Sequence, residues 1–320
     1  MNSAASCNPP LRRILVVKLS SLGDLFHALP AVHMIRQLTG ATVDWVCHDI
    51  YADLVKCFAD VERVIPFPRA AYWRRRRAFL ADLRAERYDL VLDLQGLLKS
   101  ALLVGRAARA DRRIGPSFSR EGARFFYDDV SGPTDKNRHA VEENLDTVRF
   151  LGLSVGEATF PVRFPASPRR FTRPAVGLLP CSRRAEKNWP SERFVEVARA
   201  LRAQSAATIV LLGGPADVAV CASIAGAVGE GVVNLCGKTS VVELGGVLSS
   251  LDLLVTVDSG PMHMAAAIGT PVVAVFGPTD PVKTGPYGAR HRVVQRGRVL
   301  AELPSEPVVR EAVVLLATSR

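Results

Sequence analysis

Residues Ile14–Pro30, ILVVKLSSLGDLFHALP, restrict the fold more than any other stretch of the chain. Ile14-Leu15-Val16-Val17 has the length and β-branched content of a buried strand. A polar turn, Lys18-Leu19-Ser20-Ser21-Leu22-Gly23-Asp24, follows it. Leu25, Leu29, Val32 and Ile35 then recur at helical spacing. The unit is strand, small-residue loop, helix. In open α/β sheets ligands sit at the carboxyl ends of strands, so Asp24 is a carboxylate placed where a ligand would lie. The same residues also suit a plain cap, with Asp24 closing the helix and Gly23 making the turn.

The alternation recurs along the chain. Val43–Cys47, Val61–Ile65 and Tyr88–Leu94 read as strands, with helices ending near Arg87 and running from Leu97 to about Ala108. Arg113–Gly115 is a short strand, and His139 to Leu151 a helix. Phe164–Pro174 is proline-rich and polar and reads as a linker. A second series follows, with strands at 175–180, 208–212, 232–235, 251–257 and 271–276. Its helices start at Ser191, Val242 and beyond Pro261, and a last one covers about Pro307–Thr318. This predicts mostly parallel sheets covered by helices. The expected division is a disordered tail at 1–11, a first domain at 12–168, a linker at 169–174 and a second domain at 175–320. The last helix is a candidate to pack back on the first domain. Loops at the strand ends of the two domains are expected to face a central cleft.

With 48% hydrophobic residues the chain can bury two cores, and global disorder is excluded. The net charge of +10 favours anionic partners, whether nucleic acid, membrane or phosphorylated substrates, although a merely soluble basic surface has the same composition. The six cysteines form no CxxC pair, which points to reduced, mostly buried thiols in a cytoplasmic protein. The N-terminus lacks the apolar core of a signal peptide. No apolar run reaches the roughly 18–20 residues of a spanning helix, so any membrane association is expected to be peripheral.

Several residues could carry chemistry. Asp258-Ser259-Gly260-Pro261 stands between a strand and a helix, where backbone N–H groups and the helix dipole make an anion site. Pro261 suits the first helical position, and an Asp/Ser cap is the plainer reading. His263, one turn in, suits packing as well as catalysis. Lys187 follows the first strand of the second series and could neutralise a phosphate, with Arg183 and Arg184 in the same loop. Asp217 ends Gly213-Gly214-Pro215-Ala216-Asp217, where an acid can bind ribose hydroxyls or simply cap a helix. Gly277–Pro281 is explained by turn chemistry. Arg74, Arg75, Arg76 and Arg77, flanked by Trp73 and Phe79, suit nucleic acid, lipid phosphates or a solvated face. His139, Glu142 and Glu143 read as surface or cap residues. The chain contains no G-x-x-x-x-G-K-[ST], no G-x-G-x-x-G after the first strand and no D-x-D. A dinucleotide oxidoreductase is therefore disfavoured, and no metal held by paired aspartates is indicated.

Six segments in order resemble glycosyltransferase family 9, the heptosyltransferases. They are Lys18–Asp24, Asp93-Leu94-Gln95-Gly96-Leu97-Leu98-Lys99-Ser100, His139-Ala140-Val141-Glu142, Lys187-Asn188-Trp189-Pro190, Asp258–His263 and Gly277–Pro281. The first two favour the type I members over type II. The resemblance implies a GT-B fold of two Rossmann-like domains, acceptor on the first and nucleotide sugar on the second. It implies inverting transfer of L-glycero-D-manno-heptose from ADP-heptose to a Kdo residue of Kdo2-lipid A, without cofactor or metal. By position, Asp24 falls on the family's proposed base and Lys187 on the lysine near the donor phosphates. Asp217 falls on an acid that contacts the nucleoside, and Asp258, Ser259, Gly260 and His263 on the donor loop. Ser20, Ser21 and Gly23 fall with the base on the acceptor side. Where the family often has two threonines, this chain has Ser182 and Arg183, and Arg183 replaces no hydroxyl.

The chemistry of the residues agrees with that division. An inverting displacement needs one base on the acceptor hydroxyl. A glycosidase needs a second carboxyl for a poor leaving group, but ADP needs only charge stabilisation, from Lys187 and the Ser259–Gly260 amides. Kdo2-lipid A and the anionic inner face of the inner membrane then become the expected partners of Arg74–Arg77, and nucleic acid does not. The rivals are a family 9 transferase with another acceptor or nucleotide sugar, a non-catalytic anionic-lipid- or nucleic-acid-binding protein of the same fold, and a nucleotide-sugar epimerase.

Overall fold

The computed structural model describes residues 10–135 and 137–318, so the expected tail at 1–11 falls, in its first nine residues, outside the described part. The chain divides into two compact units. One takes Met1–Ser20, Ala28–Lys136 and Val141–Pro161, and the other takes Ser21–His27, Asn137–Ala140 and Val162–Arg320.

The strands of the first unit are β1 (Arg13–Val17), β2 (Thr42–His48), β3 (Val61–Phe67), β4 (Arg87–Asp93), β5 (Arg109–Pro116) and β6 (Asp129–Ser131). They pair in parallel throughout, in the order β3-β2-β1-β4-β5-β6. Those of the second are β7 (Ala175–Leu179), β8 (Thr208–Leu211), β9 (Val232–Asn234), β10 (Leu253–Val257), β11 (Val272–Phe276) and β12 (Arg292–Gln295). They too are parallel, in the order β12-β11-β10-β7-β8-β9. Numbered within its own unit, each sheet reads 3-2-1-4-5-6, the doubly wound Rossmann order. The strand order reverses between β1 and β4 and between β7 and β10, and ligands of such sheets bind at the carboxyl ends there. Two Rossmann-like units of this kind make the GT-B fold.

The helices are α1 (Leu22–Thr39), α2 (Ala52–Val55), α3 (Tyr72–Leu83), α4 (Leu98–Ser100), α5 (Ala140–Phe150), α6 (Ser191–Ser205), α7 (Val218–Val228), α8 (Val241–Leu248), α9 (Gly260–Ala267), α10 (Pro281–Thr284) and α11 (Glu306–Thr318). Parallel strands are covered on both faces, which is why β7, β10 and β11 are wholly buried and read as continuous apolar runs. The second core gathers Val176, Leu178, Trp189, Phe194, Val255 and Val275, together with Val308, Ala312, Leu315 and Leu316 of α11. The apolar stripe of the last helix is thus spent in its own unit. Two elements depart from the sequence reading. The helix expected at 97–108 is α4 followed by a π-helical turn, Ala101–Gly105. The edge strands β6 and β12 escaped notice because they are short and mostly polar or exposed. The proline-rich stretch also begins inside the second unit: a Cβ on Gly245 of α8 would lie 2.4 Å from the Phe164 ring.

At the β1/β4 reversal one buried carboxylate organises the loops. Asp93 Oδ1 accepts the Gln95 and Gly96 N–H groups at 2.9 and 3.1 Å. Its Oδ2 accepts the Ser100 and Tyr127 hydroxyls, each at 2.8 Å. Gln95 so held offers its Oε1 to the Leu19 and Ser20 N–H groups at 2.9 and 3.0 Å, which sets the chain as it leaves β1. Burial pushes the Asp93 carboxyl up, against the pull of the four donors. Replacing Asp93 by Ala strands those donors, and we expect a loss of about 3 kcal/mol in urea melts. A variant within 0.5 kcal/mol of wild type, about the noise of a surface change, would contradict this role.

Candidate active site

Helix α1 starts beyond the Gln95 clasp. The Asp24 Oδ2 accepts both the N–H and the hydroxyl of Ser21 at 2.7 Å. This is the returning half of a capping box, a third-residue carboxylate bonded to the N-cap amide. Its other oxygen, Oδ1, lies 3.8 Å from His27 Nδ1, and the Asp24 side chain is 44% exposed. Asp24 therefore caps its helix while remaining open to solvent. Residues 21–27 belong to the second unit, unlike the rest of α1.

Three imidazoles gather beside this turn. Buried His27 places its Nε2 3.0 Å from Nδ1 of His263 on α9, with the rings 4.3 Å apart and nearly perpendicular. His139 stands edge-on to His27 at 5.5 Å, with Nε2 3.0 Å from the Gly285 carbonyl oxygen. Burial holds His263 well below the ordinary histidine range; nearby His27, His139 and Lys187 push the same way and Asp24 opposes them. The two glycines are needed for this approach. A Cβ on Gly23 would lie 2.4 Å from the His263 ring, and one on Gly260 2.7 Å from Leu22.

The second cluster lies at the β7/β10 reversal. Lys187 Nζ donates to Asp258 Oδ2 at 2.6 Å, and the Thr279 hydroxyl donates to the same oxygen at 2.7 Å. Lys187 and Asp258 are largely buried, so Lys187 is no solvated loop lysine. The loop is anchored by Trp189, whose Nε1 donates to the Leu303 carbonyl oxygen at 3.0 Å within the core. Asn188 Oδ1 accepts the Ser182 N–H at 2.7 Å, and the Ser182 hydroxyl donates to the Arg184 carbonyl oxygen at 2.8 Å. Arg183 is exposed. Ser259 precedes α9, and its hydroxyl lies 3.3 Å from that of Thr256. Gly260 opens the helix, with the N–H groups of its first turn unsatisfied within the helix.

The chain thus brings Ser21, Gly23, Asp24 and His263 together, and Lys187 with Asp258. Asp217 sits at the end of β8, where its Oδ2 accepts the Gly214 N–H at 2.8 Å, as a turn cap does. Ser20 is held by Gln95 in the first unit. Arg74–Arg77 occupy the exposed face of α3, whose buried face is Phe79 and Leu83. Arg76 lies 5.6 Å from the ring of Trp73, itself 77% exposed. Among the described residues no carboxylate forms an ion pair with these four arginines. His27 is not among the residues singled out in the sequence, Asn188 and Thr279 enter only within the segments 187–190 and 277–281, and His139 reads there as a surface or cap residue. The spacing of Asp24 and His27, one helical turn, was the available signal for His27. Among the described residues no group of three or more His, Cys, Asp or Glu could hold a metal ion, and no helix is long and apolar enough to cross a membrane.

The comparisons with known proteins agree along the whole chain. The model of glycosyltransferase family 9 (heptosyltransferase) matches residues 76–302. Lipopolysaccharide heptosyltransferase 1 of Escherichia coli (strain K12) is 33% identical over 316 residues, 93% of this chain and 98% of that protein. Lipooligosaccharide heptosyltransferase 2 of Haemophilus influenzae is 34% identical over 309 residues, 88% of each chain. The solved structure of E. coli heptosyltransferase WaaC with ADP aligns with a TM-score of 0.83 at 31% identity, covering 95% of this chain and 99% of its own. The same protein with ADP-2-deoxy-2-fluoro heptose aligns at 0.81 and 31%, covering 94% and 99%.

Removing one partner of a buried ion pair leaves an uncompensated charge. Asp258→Ala and Lys187→Met are each expected to cost about 3 kcal/mol. The double variant should lose at least ~1 kcal/mol less than the sum, read from a double-mutant cycle of urea melts. Additive losses would show that the pair contributes nothing as a pair.

Proposed function

Because the chain belongs to glycosyltransferase family 9, the heptosyltransferases, we propose that it moves L-glycero-D-manno-heptose from ADP-heptose to Kdo2-lipid A with inversion at the sugar. The family makes it an enzyme that transfers heptose in lipopolysaccharide core synthesis. The finer reading, type I transfer to Kdo, rests on one observation: the likeness to a heptosyltransferase 1 runs through 93% of the chain and 98% of that protein. A second reading, the later transfer by a type II enzyme, draws support from the 34% identity to a heptosyltransferase 2.

The site supports a division of roles. Asp24, open to solvent on a rigid helical turn, is the base that takes the proton of the acceptor hydroxyl. The hydroxyl oxygen bonds to the anomeric carbon as the bond to the phosphate oxygen breaks, and ADP leaves with the electron pair. Lys187 and the free N–H groups at the start of α9, around Ser259 and Gly260, meet the charge on the departing diphosphate. Asp258 holds Lys187 in place for this, and Asp217 faces the nucleoside. We assign the domains to 12–168 for the acceptor and 175–320 for the donor, joined by 169–174, with Asp24 carried on the stretch that joins the donor unit. Arg74–Arg77 contact the anionic acceptor and the inner face of the inner membrane, where a cytoplasmic enzyme of this kind docks peripherally.

The deciding experiment is incubation with ADP-heptose and Kdo2-lipid A scored by product mass. One added heptose is expected, and no product, or product only on an acceptor already carrying heptose, would overturn the type I reading. Asp24→Ala should fold normally yet lose transfer by a factor of order 10²–10⁴; near-wild-type turnover would remove Asp24 as the base. Changing Arg74–Arg77 together to Ala should raise the acceptor KM and weaken pelleting with anionic liposomes, each cation contributing about 1 kcal/mol near such a surface. Unchanged values would make the run a solvated face.

A further inference from the structure

We propose that His27 is a positioning residue for the Asp24 carboxylate: its Nδ1–H faces Asp24 Oδ1 while its Nε2 accepts the Nδ1–H of His263. The proposal rests on the reading of Asp24 as base.

Asp24 and His27 are three apart on α1 and share a face. His27 Nδ1 is buried and has no hydrogen-bond partner among the described residues, and a native orphan of this kind calls for an explanation. Asp24 Oδ1 lies 3.8 Å from it. That is beyond hydrogen-bond length, but such contacts often tighten only when substrate is bound. Facing a carboxylate, His27 favours the tautomer with its proton on Nδ1. Nε2 is then an acceptor, and the 3.0 Å contact assigns the shared proton to His263 Nδ1. This needs His263 neutral, as its burial beside His27, His139 and Lys187 makes it. Besides the pair itself, His139, Lys187 and Asp24 are titratable groups that act on it among the described residues.

Ser21 places two donors on Oδ2, so the carboxylate plane is half set. Donation from His27 to Oδ1 restrains the second oxygen as Ser21 restrains the first. His27 neither gains nor loses a proton in the transfer, which goes from the acceptor oxygen to Asp24.

The test compares His27→Asn, whose amide N–H stands near the position of Nδ1, with His27→Gln, which keeps reach toward His263 and lacks that donor. Transfer from ADP-heptose to Kdo2-lipid A is followed across pH, with Asp24→Ala in parallel. His27→Gln is expected to lose about 10- to 100-fold in kcat at unchanged donor KM, the scale of a misplaced catalytic group. The acidic limb of its kcat profile should move up by about half a unit, since losing a donor to the charged form raises a carboxyl pKa. His27→Asn should recover most of kcat and the wild-type limb. Equal behaviour of the two variants with an unmoved limb, while Asp24→Ala is inactive, would overturn the proposal and leave the base in place. Full activity of Asp24→Ala would overturn both. If the variants do not fold, the 15N shifts of the His27 ring in the wild-type protein decide: a proton on Nδ1 supports the proposal, and one on Nε2 refutes it.

Discussion

Two imidazoles 3.0 Å apart, His27 and His263, hold together segments separated by 236 positions in the chain. Their contact goes with the backbone at Gly23 coming against the His263 ring, and Gly260 against Leu22. Neither approach leaves room for a β-carbon. The turn that follows the first strand is thereby drawn into the second unit, although the strand before it and most of α1 belong to the first. The loop read at the outset as a generic ligand loop of one sheet is thus packed with the residues at the start of α9.

Two of the buried polar sites differ in what they cost. Asp93 is surrounded by four donors and serves the local backbone, setting Gln95 and through it the exit of β1. Lys187 and Asp258 are opposite charges with a hydroxyl added on the carboxylate side. A buried pair of that kind adds little net stability over an apolar substitute, because desolvation offsets the attraction. The role proposed for Lys187 gives such a pair a use: a diphosphate would meet a cation already desolvated and held at the carboxyl ends of β7 and β10, which lowers the ordering cost of binding.

Much of this was legible in the sequence, because the controlling patterns are local. The apolar runs of β1, β4, β7, β10 and β11 and the helix starts after them follow from one stretch each, and mostly parallel sheets covered by helices follow from their alternation, whereas the strand order does not. Asp24, Lys187 and Asp258 stood out because each ends such a unit. The edge strands β6 and β12 did not, since DVS and RVVQ are too short and too polar to stand out, unlike the other two edges, β3 and β9. His27 was hidden for a different reason. It sits in a helix whose other buried residues are apolar, and only its distance to His263, a tertiary quantity, separates it from packing. His139 likewise reads as a surface residue until Gly285 and Tyr287 are found beside it. Asn188 and Thr279 act on neighbours in space or on backbone amides, for which single residues give no pattern.

A carboxylate in a capping box makes an uneasy base. The N–H and hydroxyl of Ser21 already occupy its Oδ2. Beside its Oδ1 stands His27, backed by His263, which burial holds neutral. A neutral ring can orient Oδ1 through one N–H without adding a full positive charge. Lys187 is meanwhile paired with Asp258. For the role proposed for Asp24, the cap supplies rigidity at Oδ2, and a neutral His263 behind His27 is the condition under which a ring N–H can face Oδ1.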